Sequence, residues 1–344
     1  MIMQQEFYMY TVLLELPPAG PIVCCEDEAL AIEKGAFTSD VEAERRTAAG
    51  SSSNPDVSTN MTRCFRKAFL ERDPPRDMLL PSSRNRRYIC QRRDTSTGHT
   101  YSTLFDIGDG IPVYSGYAIY PHEGRDIGTY TRCSATWRQT PGISNQGSDA
   151  LYSGSSAADI HRGHLNPCHI NSFNQTFMKA TFIYTNCVPQ CGTSFNSGSW
   201  MAYEGRIANY TKERCANQKG GIMYLVTGQS DYRIRVRSTG AVTQVPTPIQ
   251  YYPNAASRNR LVQPNSLWTA GCCVRYRSRS SNTIVFAESI AVIGNNDRNS
   301  SCTLTRAVHL WELEWLLVSP TATYPVDIFP GYSGCRNNSY SNRL

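Results

Sequence analysis

The sequence predicts an α+β protein built around a mainly antiparallel sheet flanked by helices. Short runs of β-branched and aromatic residues recur along the chain, and turn residues separate them at the spacing of hairpins. Only two segments have apolar residues at the intervals of a long helix. Strands therefore outnumber helices, and short links between successive strands are typical of antiparallel pairing.

Eight runs are expected to form strands because Val, Ile, Thr, Tyr and Phe are concentrated in them. They are residues 87–91, 100–105, 111–118, 181–184, 222–227, 232–236, 268–276 and 283–293. The two helical segments are residues 194–216 and 306–318. The second has apolar residues at helical intervals: Val308, Leu310, Trp311, Leu313, Leu316 and Leu317.

A change of composition near residue 60 divides the chain into two parts. Residues 1–60 are acidic and then rich in Ala, Ser, Thr and Asn, which predicts a low-complexity segment that is disordered or wrongly assigned to the chain. Residues 61–344 contain no second break and no internal repeat, so we expect one domain there. The function is expected in this domain.

The positive charge is concentrated in the expected domain. The whole chain has a formal net charge of +6, but residues 1–60 hold ten acidic and only three basic residues, and ten Lys or Arg lie between Arg63 and Arg93. A basic surface attracts a polyanion, because each neutralised phosphate releases counterions. The charge therefore favours a polyanionic partner, although a solvated basic face without a partner explains it equally well.

Thirteen cysteines are too many for an ordinary cytosolic protein of this length and predict disulfides formed in an oxidising compartment. Adjacent cysteines such as Cys272 and Cys273 cannot normally bond each other, so their partners are expected elsewhere. Glycosylation sequons agree with secretion, at Asn60, Asn174, Asn209, Asn299 and Asn337. The sequence has no clear signal peptide and no run of about 20 apolar residues. We expect a secreted, extracellular or vesicular protein without a membrane span.

The most informative residues lie between positions 161 and 204. Residues 161–167 read His-Arg-Gly-His-Leu-Asn-Pro, and residues 185–190 read Thr-Asn-Cys-Val-Pro-Gln. Asn196, Trp200 and Glu204 follow at intervals of four, so a helix that begins near residue 194 places them in one stripe with Asn196 in its first turn.

These residue types match the needs of phosphodiester hydrolysis. Imidazole is suited to take a proton from water near neutral pH, so His164 is the expected general base. Mg²⁺, or another divalent cation such as Mn²⁺, accepts few protein oxygens and keeps most of its waters, so the Asn196 carbonyl is a sufficient metal ligand. Glu204 is expected to hold metal-bound water, and Arg162 and Gln190 are expected to bind phosphate oxygens.

In these motifs the chain resembles the DNA/RNA non-specific endonucleases, a family of ββα-metal or His-Me finger nucleases. The family's Asp-Arg-Gly-His motif corresponds to residues 161–164 and its Asn-x-x-Pro-Gln motif to residues 186–190. The resemblance extends over residues 64–335. It implies a ββα-metal finger that carries the active site of a Mg²⁺-dependent enzyme cutting DNA and RNA with little sequence preference. The implied site residues are the base His164, the metal ligand Asn196, the water-holding Glu204, and the supporting Arg162, Asn186 and Gln190.

Two departures from the family pattern leave a second interpretation open. The first position of the motif is His161 rather than Asp, and Ala208 stands where the family has a further Arg. A catalytically impaired pseudonuclease that binds nucleic acid on the same fold is therefore the alternative to an active endonuclease.

Three residues or groups near the motif also have structural interpretations. Trp200 is expected to pack in the core under the helix rather than to stack on a base. Cys187 and Cys191 flank the site and are expected to cross-link its loop. A cluster of histidines and one cysteine is compatible with a zinc site in which no general base remains: His161, His164, Cys168 and His169.

Overall fold

The computed structural model describes residues 54–93, 96, 98–131, 135–278, 282–299, 301–341 and 344. Most of the acidic segment expected over residues 1–60 lies outside this part of the chain. Strand β1 (Val57–Ser58) comes before Asn60 and pairs with the second strand. The sheet therefore begins ahead of residue 61.

An antiparallel sheet of eight strands forms the centre of the fold, in the order β1-β2-β3-β4-β7-β12-β13-β14. Every neighbouring pair in it is antiparallel, which confirms the predicted sheet type. Its strands after β1 are β2 (Arg86–Gln91), β3 (Tyr101–Asp106), β4 (Ile111–Ile119), β7 (Ile222–Ser230), β12 (Ser266–Tyr276), β13 (Ile284–Asn295) and β14 (Thr305–Ala307). The other described strands form two-stranded pairs: β5 (Ile160–His164) with β6 (Cys187–Cys191), β8 (Tyr232–Val236) with β9 (Val242–Pro246), and β10 (Gln250–Tyr252) with β11 (Leu261–Gln263).

The described helices are short, apart from one long irregular helix. They are α1 (Arg63–Arg66), α2 (Pro121–Arg125), α3 (Gln175–Ala180), α4 (Met201–Asn209), α5 (Leu310–Leu316) and α6 (Gly334–Asn337). The segments Gly192–Trp200 and Tyr210–Gln218 flank α4 in π-helical geometry, and we call the three consecutive segments the site helix. The site helix contains the predicted helix over residues 194–216. The predicted α+β class is confirmed.

Seven of the eight expected strands are present. The prediction of a strand over residues 181–184 is wrong. Thr181 ends α3, and Tyr184–Asn186 form a 3₁₀ turn. Helix α3 forms just before this run because the Asn174 side chain caps it by accepting two backbone N–H bonds, at 2.8 and 3.3 Å. A run of four β-type residues is too short to override a capped helix that leads into it.

The helix expected over residues 306–318 is shorter than predicted. Its first residues belong to β14, and α5 begins only after His309, whose backbone N–H donates to the Glu312 carboxylate over 2.7 Å. The helical spacing itself is confirmed, because the buried residues of α5 include Leu310, Leu313 and Leu316.

Alternating side chains of β12 face two different layers of the fold. Leu267 and Cys273 pack into the core that the sheet shares with the site helix. Trp268 and Cys272 pack into the core that the sheet shares with α5. This division follows from the two-residue period of a strand, and it gives the fold one layer on each face of the sheet.

Three described disulfides attach helices to the sheet. Cys215–Cys273 joins the site helix to β12, and Cys272–Cys335 joins α6 to the opposite face of the same strand. Cys64–Cys90 joins α1 to β2. The expectation that adjacent cysteines have distant partners is confirmed for Cys272 and Cys273.

The Cys215–Cys273 disulfide is expected to stabilise the whole domain. The double variant Cys215→Ala/Cys273→Ala should lose about 2–4 kcal/mol of unfolding free energy, because an unfolded chain without this cross-link has more conformations. Urea denaturation followed by circular dichroism measures the loss. The comparison variant Cys64→Ala/Cys90→Ala opens a loop of 26 residues instead of 58, so its loss should be smaller. An unchanged unfolding midpoint in the first variant contradicts the prediction.

Candidate active site

The hairpin of β5 and β6 carries the first group of predicted site residues. Its register pairs His161 with Gln190 and His164 with Cys187. Neither strand was among the expected ones, because polar and charged residues interrupt the alternation that identifies a strand. The hairpin and the site helix together give the ββα arrangement that the motifs imply.

Glycine at position 163 is required by the neighbouring strand. A Cβ atom there would lie 2.0 Å from Cδ of Gln190, whose side chain crosses over Gly163 and is completely buried. Among the described residues, neither amide atom of Gln190 has a hydrogen-bond partner. In this geometry Gln190 packs beneath the strand that carries His164 and does not face solvent.

Arg162 and His164 share one face of β5, because they are two residues apart on a strand. His164 is largely buried, with 8% of its surface exposed. Its ring lies 4.7 Å from the ring of Trp137 and 4.8 Å from that of Phe182, centroid to centroid. The two aromatic rings restrict the orientation of the imidazole.

The Arg162 guanidinium lies beside Tyr152 and Tyr184, which together with Trp137 and Phe182 form what we call the aromatic cluster. Its Nη2 lies 3.0 Å from the carboxylate of Asp149, and its Cζ lies 5.4 Å from the ring centroid of Tyr152 and 5.8 Å from that of Tyr184. The Tyr184 hydroxyl donates to the same carboxylate over 2.7 Å. Arg162 keeps 30% of its side-chain surface exposed, so it has remaining N–H donors for a phosphate.

Asn186 is completely buried and uses its whole side chain to hold the loop after His164. Its Oδ1 accepts from the backbone N–H of Asn166 (2.9 Å) and from the Ser115 hydroxyl (3.0 Å). Its Nδ2 donates to the backbone carbonyls of Asn166 and Thr181, both over 3.1 Å. The structure therefore places Asn186 as a support of the loop that follows His164, away from solvent.

The site helix carries Asn196 and Glu204, both half-buried. The backbone is irregular at Gly198, with φ −106° and ψ −114°, so the even stripe expected from spacings of four is interrupted. Trp200 is 1% exposed and stacks on Phe195 at 5.4 Å, as expected for a core residue.

His161 faces the site helix instead of the aromatic cluster. Its Nδ1 lies 2.9 Å from Nδ2 of Asn196 and 3.4 Å from the Ser197 hydroxyl. The helix begins beside it at Gly192, and the Asp159 carboxylate accepts from the backbone N–H of Thr193 over 3.1 Å. The motif therefore divides its contacts between the two faces of β5.

A model of the DNA/RNA non-specific endonuclease family matches residues 85–295, which include the hairpin and the whole site helix. The match covers more than half of the chain. The chain belongs to the DNA/RNA non-specific endonuclease family. The resemblance first seen in the motifs is confirmed.

Among solved structures, 127 chains match this endonuclease. One is a chain of the EndoG/EndoGI complex, a structure that concerns the mechanism of EndoG inhibition. It is 17% identical, with a TM-score of 0.44, and the match covers 60% of this chain and 76% of that chain. The comparison with curated proteins gave no match.

The zinc interpretation is wrong for the part of this endonuclease that the structure describes. No three His, Cys, Asp or Glu side chains are grouped there in a way that can hold a metal ion. His169 is exposed, whereas His161 and His164 lie on opposite faces of β5.

The expected cross-link by Cys187 and Cys191 is also wrong. Both are buried free thiols, four residues apart on β6, so they share a face but lie too far apart to bond each other. The Cys187 thiol contacts the Tyr152 hydroxyl at 3.7 Å, and Cys191 contacts the Asn296 carbonyl at 3.5 Å. Burial raises the pKa of Cys187 to about 12 and that of Cys191 to about 11, so both remain protonated.

Several residues beside the site were not found in the sequence. They are Trp137, Asp149, Tyr152 and Asp159, and all lie in the irregular segment between β4 and β5. Isolated aromatic and acidic residues in a loop have no spacing that identifies them. The sequence therefore offers no signal for these four residues, and the contact of Asp159 with the site helix appears only in the fold.

The close packing of Gly163 and Gln190 predicts a large effect of adding one methyl group. Gly163→Ala should lower the unfolding free energy by about 1–3 kcal/mol, because the new Cβ must displace buried Gln190. Cleavage should fall as well, since the strand carrying His164 has to move. Gly154→Ala is the matched control, because no atom lies within 4 Å of a Cβ at that position. Equal stability of the two variants in thermal unfolding would mean that Gln190 moves aside without cost, contrary to this expectation.

Proposed function

We propose that this chain is a Mg²⁺-dependent endonuclease that hydrolyses phosphodiester bonds in DNA and RNA with little sequence preference. The observation that carries the proposal is the pair formed by Arg162 and His164, two residues apart on one face of β5 within the matched family region. One residue offers a phosphate contact and the other offers a base. This is the minimum that the chain itself must provide for hydrolysis of a phosphodiester.

In the proposed mechanism His164 takes a proton from the attacking water. Trp137 and Phe182 hold the imidazole in one orientation, and Asn186 fixes the loop that follows it. Arg162, restrained by Asp149, donates hydrogen bonds to the phosphate. Because both side chains are fixed before the substrate arrives, little reorganisation is needed during the reaction.

The described residues fit a hard divalent cation such as Mg²⁺, or Mn²⁺, through the chemistry of the donors. The Asn196 side-chain carbonyl is the proposed ligand, and Glu204, eight residues further along the site helix, is proposed to hydrogen-bond water on the ion. A bound cation supplies charge neutralisation on the phosphate and on the leaving oxygen.

Low sequence preference follows from the contacts that this site offers. Arg162 and the proposed cation act on phosphate oxygens, which are the same for every nucleotide. Gln190 is completely buried beneath the hairpin and offers no contact to a base edge. Discrimination between bases therefore has no direct source among these residues.

We also propose that the enzyme works in a secreted, extracellular or vesicular setting. Three described disulfides support an oxidising compartment, and the asparagines of all five sequons are exposed, which makes glycosylation sterically possible. In the part of the chain that the structure describes, no helix has the length and apolar character needed to cross a membrane.

Removing the proposed base should abolish most turnover. His164→Ala is expected to reduce the rate of plasmid and RNA cleavage by about 10²–10⁴-fold, because no other group takes the proton from water. Binding to DNA in EDTA, measured by gel retardation, should be retained, since Arg162 is unchanged. The control is His169→Ala, which removes an exposed histidine of the same segment and should cut normally. Full activity of His164→Ala contradicts the proposal, and retardation without cleavage by the unmodified chain indicates the pseudonuclease.

Removing the proposed metal ligand should change the dependence on metal concentration. Asn196→Ala is expected to raise the Mg²⁺ concentration that gives half-maximal cleavage by about tenfold or more, and EDTA should stop cleavage by the unmodified enzyme. Asn209→Ala, at an exposed position of the same helix, is the control and should leave the Mg²⁺ titration unchanged. Identical Mg²⁺ curves for both variants argue against Asn196 as the ligand.

A further inference from the structure

We propose that His161 is a positioning residue for the metal ligand. Its Nδ1 accepts a hydrogen bond from the side-chain amide of Asn196 and so holds that amide in the orientation in which its carbonyl oxygen would bind a cation. The proposal rests on the function proposed above, in which that oxygen is the protein's ligand to the metal.

The imidazole of His161 is fixed from two sides. On one side Nδ1 lies 2.9 Å from Nδ2 of Asn196 and 3.4 Å from the Ser197 hydroxyl. On the other side the ring lies against the backbone of Gly192, where a Cβ atom would come within 2.6 Å of Nε2 and 2.7 Å of Cδ2. The absence of a side chain at Gly192 therefore lets the ring reach Asn196 over the first turn of the site helix.

The chemistry of the contact decides its direction. An amide nitrogen can only donate, so Nδ1 of His161 is the acceptor and the ring proton sits on Nε2. In this geometry the amino end of the Asn196 amide faces His161. Oδ1, the atom of this side chain that binds a cation, points away from the imidazole, and none of the described hydrogen bonds ends on it.

This contact gives a physical account of the departure from the family motif. A carboxylate at position 161 is also a hydrogen-bond acceptor, so His and Asp offer the same function to the amide of Asn196. A side chain that only donates hydrogen bonds, or an apolar side chain, offers no acceptor to this amide. The substitution of His for Asp is therefore compatible with an intact metal site, and it does not by itself indicate a pseudonuclease.

The test compares residues at position 161 that keep or lose the acceptor, in the full chain. His161→Asp keeps a hydrogen-bond acceptor. His161→Phe keeps an aromatic ring but removes the acceptor. His169→Phe is the control at an exposed histidine. We expect His161→Phe to weaken Mn²⁺ binding about tenfold in isothermal titration calorimetry, and His161→Asp and His169→Phe to change it less than about threefold.

A double-mutant cycle separates positioning from a general effect on folding. In an Asn196→Ala background, His161→Phe should have no further effect on the Mn²⁺ dissociation constant, because the group that it positions is gone. The proposal is overturned if His161→Phe binds Mn²⁺ like the unmodified chain, if His161→Asp loses as much affinity as His161→Phe, or if the effect persists without Asn196. Mn²⁺ binding with the expected pattern but without cleavage refutes the proposed nuclease and leaves this role of His161 standing. Cleavage combined with a Mn²⁺ affinity that does not change with the residue at position 161 refutes this role of His161 and leaves the proposed nuclease standing.

Discussion

The buried hydrogen bonds of Asn186 are the constraint on which the rest of the site depends. One side chain joins the loop after His164, the hydroxyl of Ser115 in the central sheet, and the end of α3 at Thr181. All of these groups are buried, so an apolar residue at position 186 leaves donors and acceptors unpaired at a cost of about 1–3 kcal/mol each. The loop that follows His164 is thus held by a residue that is itself completely buried.

The four consecutive residues of the motif each have a different neighbour. His161 faces the site helix, and Gly163 leaves room for Gln190 on the same side of the strand. Arg162 and His164 face the aromatic cluster on the other side. The two-residue period of a strand produces this separation without any loop or insertion. Under the proposed function, a motif of four residues therefore combines support of the metal ligand, phosphate contact, close packing and proton transfer.

Much of the central sheet was predictable from the sequence, because its strands are hydrophobic and bounded by turns. The site hairpin was not, since its strands read His-Arg-Gly-His and Val-Pro-Gln, and here tertiary packing overrides local propensity. The motifs made His164, Arg162 and Asn196 candidate site residues by residue type and spacing. They did not reveal that Asn186 and Gln190 are buried, because burial depends on segments such as β4 that are distant in the sequence. The contact between His161 and Asn196 was hidden for the same reason, as 35 residues separate them.

The neighbouring cysteines of β12 have a consequence for the pairing of the strand itself. Cys272 bonds Cys335 on one face of the sheet, and Cys273 bonds Cys215 on the other. A slip of β12 by one residue would turn each thiol to the opposite face and present it to the wrong partner. The two native bonds can both close only when β12 is aligned correctly with β7 and β13. Formation of both disulfides therefore selects the native register of β12 and prevents a later slip of this strand.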